Sequence, residues 1–165
     1  MAHPERVKAF DRLRVEYSPM MTALLWKLTG DREIFAEAMQ YALLGMWRHL
    51  EKLNGERAPG YLYRIVLSAN SRAWRKRIGK DGHINSDLIA GPSVEDCNPP
   101  DSELIEKVRK TIARLPRKQA EAIAMRYLEQ KSYDMIAKEL LCSPAAARSH
   151  VSKALAVLKR KLDNE

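Results

Sequence analysis

Tyr61 and Tyr63 stand beside a run of cations. Between Arg64 and Lys80 the chain carries six basic residues and no acidic one. On a helix, Tyr61, Arg64, Ser68, Ser71, Arg72 and Arg75 share one face. A ring on which a base can stack, beside cations for phosphates, is what a single nucleic-acid strand requires. Tyr63 and Arg57, the latter in the loop before this helix, extend the same set. A solvated basic helix with Tyr61 as a capping aromatic has the same pattern, but the polar loop and the aromatic residues favour binding.

A second constellation lies near the C-terminus. Ser143 is a good N-cap and Pro144 a good first residue for a helix. Ala147, Val151, Ala154, Leu158 and Leu162 then form a buried stripe. Ala145, Ala146, Arg148, Ser149, Ser152 and Lys153 lie outside it. Arg148 can pair bidentately with guanine, Ser149 can bond a base or phosphate, and Lys153 suits a phosphate. Lys159, Arg160 and Lys161 extend the charge, although cations also suit any helix C-terminus.

The third set is Glu37, Gln40, Tyr41, Leu44 and Arg48, spaced to share a helix face, with Trp47 at its edge. Such a face suits a protein partner. Cover by the first helix explains it equally well, and periodicity does not choose between the two.

The residues of enzyme chemistry are missing. There is no phosphate-binding glycine loop, no HExxH, and no serine or cysteine nucleophile with an evident base. His3, His49, His83 and His150 are scattered, and Cys97 and Cys142 have no partner at metal-ligand spacing. Glu33 and Glu37 share a helix face, which is weak ground for acid–base catalysis. The sequence therefore predicts no catalytic residue, no metal and no cofactor.

Helical elements must position these sets. Apolar residues recur at helical spacing, with no convincing strand alternation. The pattern predicts seven helices, roughly 5–28, 31–53, 59–78, 102–114, 116–129, 132–141 and 144–162. Phe35, Met39, Ala42, Leu43, Met46 and Leu50 are expected to fill the core from the second. Leu62, Ile65, Val66, Ala69 and Ala73 are expected to do so from the third. In the fifth, Ala120, Ile123, Ala124, Tyr127 and Leu128 line one face. Residues 79–101, rich in Gly, Pro, Asn, Ser and Asp, read as a flexible linker. The expected architecture is all-α: a domain over 1–78, the linker over 79–101, and a second domain over 102–165.

In the second domain, Ser132 caps a helix that buries Ile136, Ala137 and Leu140. Two helices joined by about three residues have the helix-turn-helix shape, whose second helix enters the major groove. Leu141 stands where that turn usually has glycine, so a left-handed backbone there would be strained.

The 165 residues are 45% hydrophobic, enough for a packed core, and carry a net charge of +8. Such a surplus suggests nucleic acid or an acidic membrane surface as partner. No apolar run approaches the ~20 residues of a membrane span. The N-terminus lacks the apolar stretch of a secretory leader. A cytoplasmic protein, monomeric when free and not inserted in a membrane, is the expectation.

From about Phe10 to Leu162 the chain resembles the extracytoplasmic-function (ECF) group of bacterial sigma-70-type sigma factors. Leu28-Thr-Gly-Asp31, Trp47-Arg-His-Leu50 and Tyr61-Leu-Tyr-Arg-Ile65 are similar to segments of the family's region 2. Leu115 to Ile123, Arg126-Tyr-Leu-Glu129 and Ser132 to Ala137 are similar to region 4, a helix-turn-helix of winged-helix-like type. The resemblance implies that region 2 binds the β′ clamp helices of core RNA polymerase and reads the −10 promoter element. It implies that region 4 binds the β flap and the −35 element. By position, Glu37, Gln40 and Tyr41 match the polymerase contacts and Tyr61 the −10 aromatic. Ser143, Arg148, Ser149 and Lys153 match the recognition helix. The family also implies an anti-sigma partner. Tyr41 replaces an acidic residue, Ser68 stands where Asn is common, and three alanines open the recognition helix. The competing reading is a stand-alone helix-turn-helix regulator, which would bind duplex operator DNA without polymerase.

Overall fold

The computed structural model describes residues 3–81 and 102–163, so the expected linker lies, beyond Asp81, outside the described residues. All longer elements among the described residues are α-helices: α1 (His3–Thr29), α2 (Arg32–Arg48), α3 (Ala58–Asp81), α4 (Ser102–Arg114), α5 (Arg117–Tyr127), α6 (Tyr133–Leu140) and α7 (Pro144–Asp163). Two short 3-10 turns, Leu50–Lys52 and Gly55–Arg57, join α2 to α3. The helix-turn-helix of α6 and α7 has no strand beside it among the described residues.

The break between α1 and α2 follows from two adjacent residues. Gly30 takes φ +62, a conformation costly for a residue with a Cβ. Asp31 then caps α2, its carboxylate accepting from the backbone N–H of Glu33 and Ile34 at 2.9 Å.

The buried residues of α2 are Ile34, Ala38, Ala42 and Met46, so of the expected stripe Ala42 and Met46 are buried, with Leu50 just beyond the helix. Phe35, Met39 and Leu43 are only half-buried. Small residues sit at the centre because α3 approaches closely there. A Cβ on Gly45 would lie 2.7 Å from Cγ2 of Ile65. The expected extension of α2 to residue 53 is also corrected. His49 leaves helical geometry, with φ −110 and ψ 23, and the following 3-10 turn tucks Leu50 and Leu53 into the core. Pro59 and Gly60, at the expected start of the third helix, lie in the first turn of α3, where proline's missing N–H is no loss.

In the second half, the Ser132 hydroxyl accepts from the N–H of Met135, and the Ser143 hydroxyl from that of Ala146. Between them Leu141 is left-handed, with φ 53 and ψ 52, the strained conformation expected at a turn position usually held by glycine. The N–H of Cys142 reaches back to the Ala137 carbonyl at 3.0 Å, closing the helix end. Ile136, Ala137 and Leu140 pack against Ala147, Val151, Ala154 and Leu158. Tyr127, expected in the core, stands exposed instead.

The two halves are packed together. Helices α4 and α5 lie against α3. As a result, α5 is buried almost all round, from Ala120 to Met125. Helix α3 buries Tyr63, Leu67 and Trp74 in addition to its expected stripe.

Candidate nucleic-acid interface

Helix α3 presents the first basic face. Ser68, Arg72 and Arg75 are exposed on it, and Arg57 is exposed in the turn before it. Tyr61 is half-buried. His49 meets its ring edge-on at 5.7 Å, and the Lys52 ammonium lies 5.9 Å from its centroid. Neighbouring Arg72 stacks over Tyr41 of α2 at 4.2 Å. Between these rings runs an open cleft of about 330 Å³, lined by Tyr41, Tyr61, Arg48, Arg64 and Arg72. Its cations and aromatic rings suit a nucleotide strand: the rings take bases and the guanidinium groups take phosphates. Arg117 of α5 also reaches this cleft, a contribution the sequence pattern of the first half could not reveal.

Two expected members of this face are placed differently. Tyr63 is only 2% exposed, so its ring is not presented to a base in this arrangement. The Lys131 ammonium lies 5.3 Å from its centroid. Burial, with Glu129, Glu139 and Glu121 nearby, pushes the Tyr63 phenol far above its ordinary value. Arg64 is half-buried, with Nη2 donating to the Glu139 carbonyl at 3.4 Å and Nε 3.8 Å from a Glu121 carboxylate oxygen. Both residues belong to the helix that the sequence assigns to strand binding, but helices of the other half cover them.

Helix α7 presents the second face. Ser143, Ala145, Arg148, Ser149 and Lys153 are exposed and Ala146 is half-buried, while the opposite stripe is buried. A major groove therefore meets one arginine, one lysine and several small residues. Tyr133, the first residue of α6, lies between two guanidinium groups. Arg126 of α5 is 4.8 Å from its ring and Arg148 is 5.7 Å away. This stacking fixes the root of Arg148, and only the fold brings the three residues together. Partial burial, with Lys118 and Lys153 nearby, lowers the pKa of His150, so it is neutral at physiological pH.

The expected protein-docking face of α2 divides. Trp47 is covered by α1, packing edge-on against Phe10 at 5.4 Å with the Arg6 guanidinium over its ring. Gln40, Leu44 and Arg48 remain exposed. Glu37 is half-buried. It accepts from the Tyr41 hydroxyl at 3.1 Å and pairs with Lys76 of α3. The two explanations thus apply to different parts of one face.

Residues 13–78 match the family described as Sigma-70 region 2, and residues 105–158 match Sigma-70, region 4. The "ECF RNA polymerase sigma-E factor" of Haemophilus influenzae is 27% identical, over 94% of this chain and 88% of its own length. The "RNA polymerase sigma-H factor" of Pseudomonas aeruginosa is 25% identical, over 94% and 86%. In fold, the chain is similar to the sigma factor RpoE of Bartonella quintana, solved in complex with the anti-sigma factor NepR. The TM-score is 0.52 at 20% identity, covering 96% of this chain and 99% of that one. The chain belongs to the sigma-70 family of bacterial sigma factors, in its ECF group. These matches are to transcription initiation factors and include no catalytic family.

Proposed function

We propose that the two basic faces divide a promoter between them, α3 reading the −10 element and α7 the −35 element. As an ECF sigma factor the chain directs RNA polymerase to promoters, with polymerase and promoter DNA as its partners. The observation that carries the division is that each half presents its own cationic face, on α3 and on α7, within one chain. On the first face, Tyr61 supplies the stacking ring, and Arg57, Arg64, Ser68, Arg72 and Arg75 supply phosphate and base contacts. On the second, Arg148 and Ser149 reach base edges, and Ser143 and Lys153 hold the backbone. The exposed part of α2, with Gln40, Leu44 and Arg48 and the half-buried Glu37 at its side, receives the polymerase. Tyr41, held by Glu37 and Arg72, adds a flat aromatic edge to that contact. The domains follow the same division, 1–78 and 102–165. The factor works in the cytoplasm, and no described helix is long and apolar enough to cross a membrane. It carries no catalysis of its own.

Single substitutions separate the two readers. Arg148→Ala should weaken discrimination at the upstream element by about 1–3 kcal/mol, the value of one bidentate base contact, and leave polymerase binding intact. Footprinting on promoters altered at each base position would read this. An unchanged upstream preference would remove α7 from the recognition role.

A further inference from the structure

Side chains of three helices meet at the ring of Tyr133. This residue opens α6 and is half-buried, packed on the core. Its position is set from both directions along the chain. Ser132 caps α6 immediately before it, the hydroxyl accepting from the N–H of Met135. The turn leading out of α5 passes through Gln130, left-handed at φ 55. The Lys131 N–H then donates to the Met125 carbonyl at 3.0 Å and closes that turn. Arg126, in the last turn of α5, donates from Nη1 to the Lys131 carbonyl at 2.9 Å and lies 4.8 Å from the Tyr133 ring centroid. The ring is thus braced by a cation that is itself tied to the backbone.

Arg148 is held differently. It is exposed on α7, with its guanidinium 5.7 Å from the Tyr133 ring centroid. Among the described residues that guanidinium has no ion pair or hydrogen bond. A separation of 5.7 Å is near the outer limit of cation–π attraction, about 6 Å, so the ring steers the guanidinium without binding it fast. An attraction of this kind uses the face of the guanidinium and leaves its N–H donors for another partner. It also restricts a side chain whose rotamers would otherwise have to be frozen on binding.

The rest of the recognition face makes that restriction matter. Ala145 and Ala146 before Arg148, and Ser149 after it, are short, so discrimination between bases at this turn of α7 falls on Arg148.

From this geometry we infer that Tyr133 is a specificity-determining positioning residue, whose ring, braced by Arg126, holds Arg148 ready to read a base. Tyr133 acts on the base through Arg148. The inference deepens the assignment of α7 to the upstream element and rests on it.

The test measures discrimination by the holoenzyme formed from core polymerase and the full chain. Promoter duplex with an intact upstream element competes against copies altered one base pair at a time, and each protein yields a ratio of affinities. Such a ratio does not depend on what fraction of the chain is folded. Tyr133→Leu removes the ring and keeps an apolar side chain. It should lower the ratio about fivefold at the base pair that Arg148→Ala also relaxes, and leave the other ratios unchanged. Tyr133→Met, a second ring-free variant, should behave alike. Tyr133→Phe keeps the ring and should match wild type. In an Arg148→Ala chain, adding Tyr133→Leu should change nothing further, since the pair acts as a unit. Undiminished discrimination in the ring-free variants overturns the inference while Arg148→Ala still shows its loss. So does a loss in Tyr133→Phe as large as in Tyr133→Leu, which would give the role to the hydroxyl. A further loss in the Arg148→Ala background overturns it too, because it would show a purely structural role. Full discrimination in Arg148→Ala itself would contradict the α7 assignment and the inference together.

Discussion

Glu121 brings a carboxylate to a site only 1% exposed, where Arg64 and Arg117 answer it by charge and nothing answers it by a hydrogen bond. Burial raises its pKa from the ordinary 4.5, and Arg117, Arg64 and Lys118 pull it back only in part. Because the folded pKa is raised, the stability tied to this group is full below about 4.5 and is lost as pH rises through the raised value. The other charges at the interface are Glu139 on α6, and Glu129 and Lys131 in the turn before it. The three pair with one another and leave Glu121 to the arginines. Glu121→Gln should therefore stabilise the packed chain by about 1–2 kcal/mol near neutral pH, with the gain vanishing in acid. Thermal melts of both proteins across that range check it, and a variant less stable at neutral pH would contradict it. The sequence could not indicate this residue. Glu121 sits on a helix whose apolar stripe was legible, but its burial comes from the other half of the chain. Tyr63 escaped for the same reason, since its type and neighbours fit an open binding face.

Helix ends were more legible than helix faces. Gly30 with Asp31, Ser132 and Ser143 each terminate or cap a helix through their own side chain or its absence, which is local chemistry. Leu141 belongs here too. Its left-handed backbone follows from the turn length alone, and the side chain is 66% exposed, so little packing depends on it. Leu141→Gly should stabilise the second half by about 1 kcal/mol, since a Cβ in this conformation costs about 1–2 kcal/mol. Ser132→Ala should cost about 1 kcal/mol through the lost cap. Urea titrations of both variants would read the two signs, and a destabilised Leu141→Gly would show that the leucine side chain has a packing role. Faces were harder. On α2 the large residues Phe35, Met39 and Leu43 suggested the core stripe, yet small Ala38, Ala42 and Gly45 mark where neighbouring helices approach most closely. On α3 and α5 periodicity predicted one buried flank and the structure has two, because each helix is covered by both halves.

At the scale of the molecule, composition and spacing conveyed an all-helical chain with two basic faces. They did not convey that the halves close on each other. That packing involves contacts between residues far apart in sequence, such as the ion pair of Arg64 with Glu121 and the hydrogen bond from Lys27 to the Leu128 carbonyl, and these leave no periodic trace. The family membership explains why two cationic faces occur in one chain, and the structure adds an asymmetry between them: α7 stands open and α3 is partly covered. The central claim is that each face reads its own promoter element within a single initiation factor. The most direct measurement is transcription by core polymerase and the purified chain on fragmented bacterial DNA, with start sites mapped for wild type, Arg148→Ala and Tyr61→Ala. The account predicts defined start sites with wild type, loss of upstream-element preference with Arg148→Ala, and loss of strand opening with Tyr61→Ala while both variants still bind polymerase. Start sites that do not depend on the added chain, or that are identical for all three proteins, would contradict it.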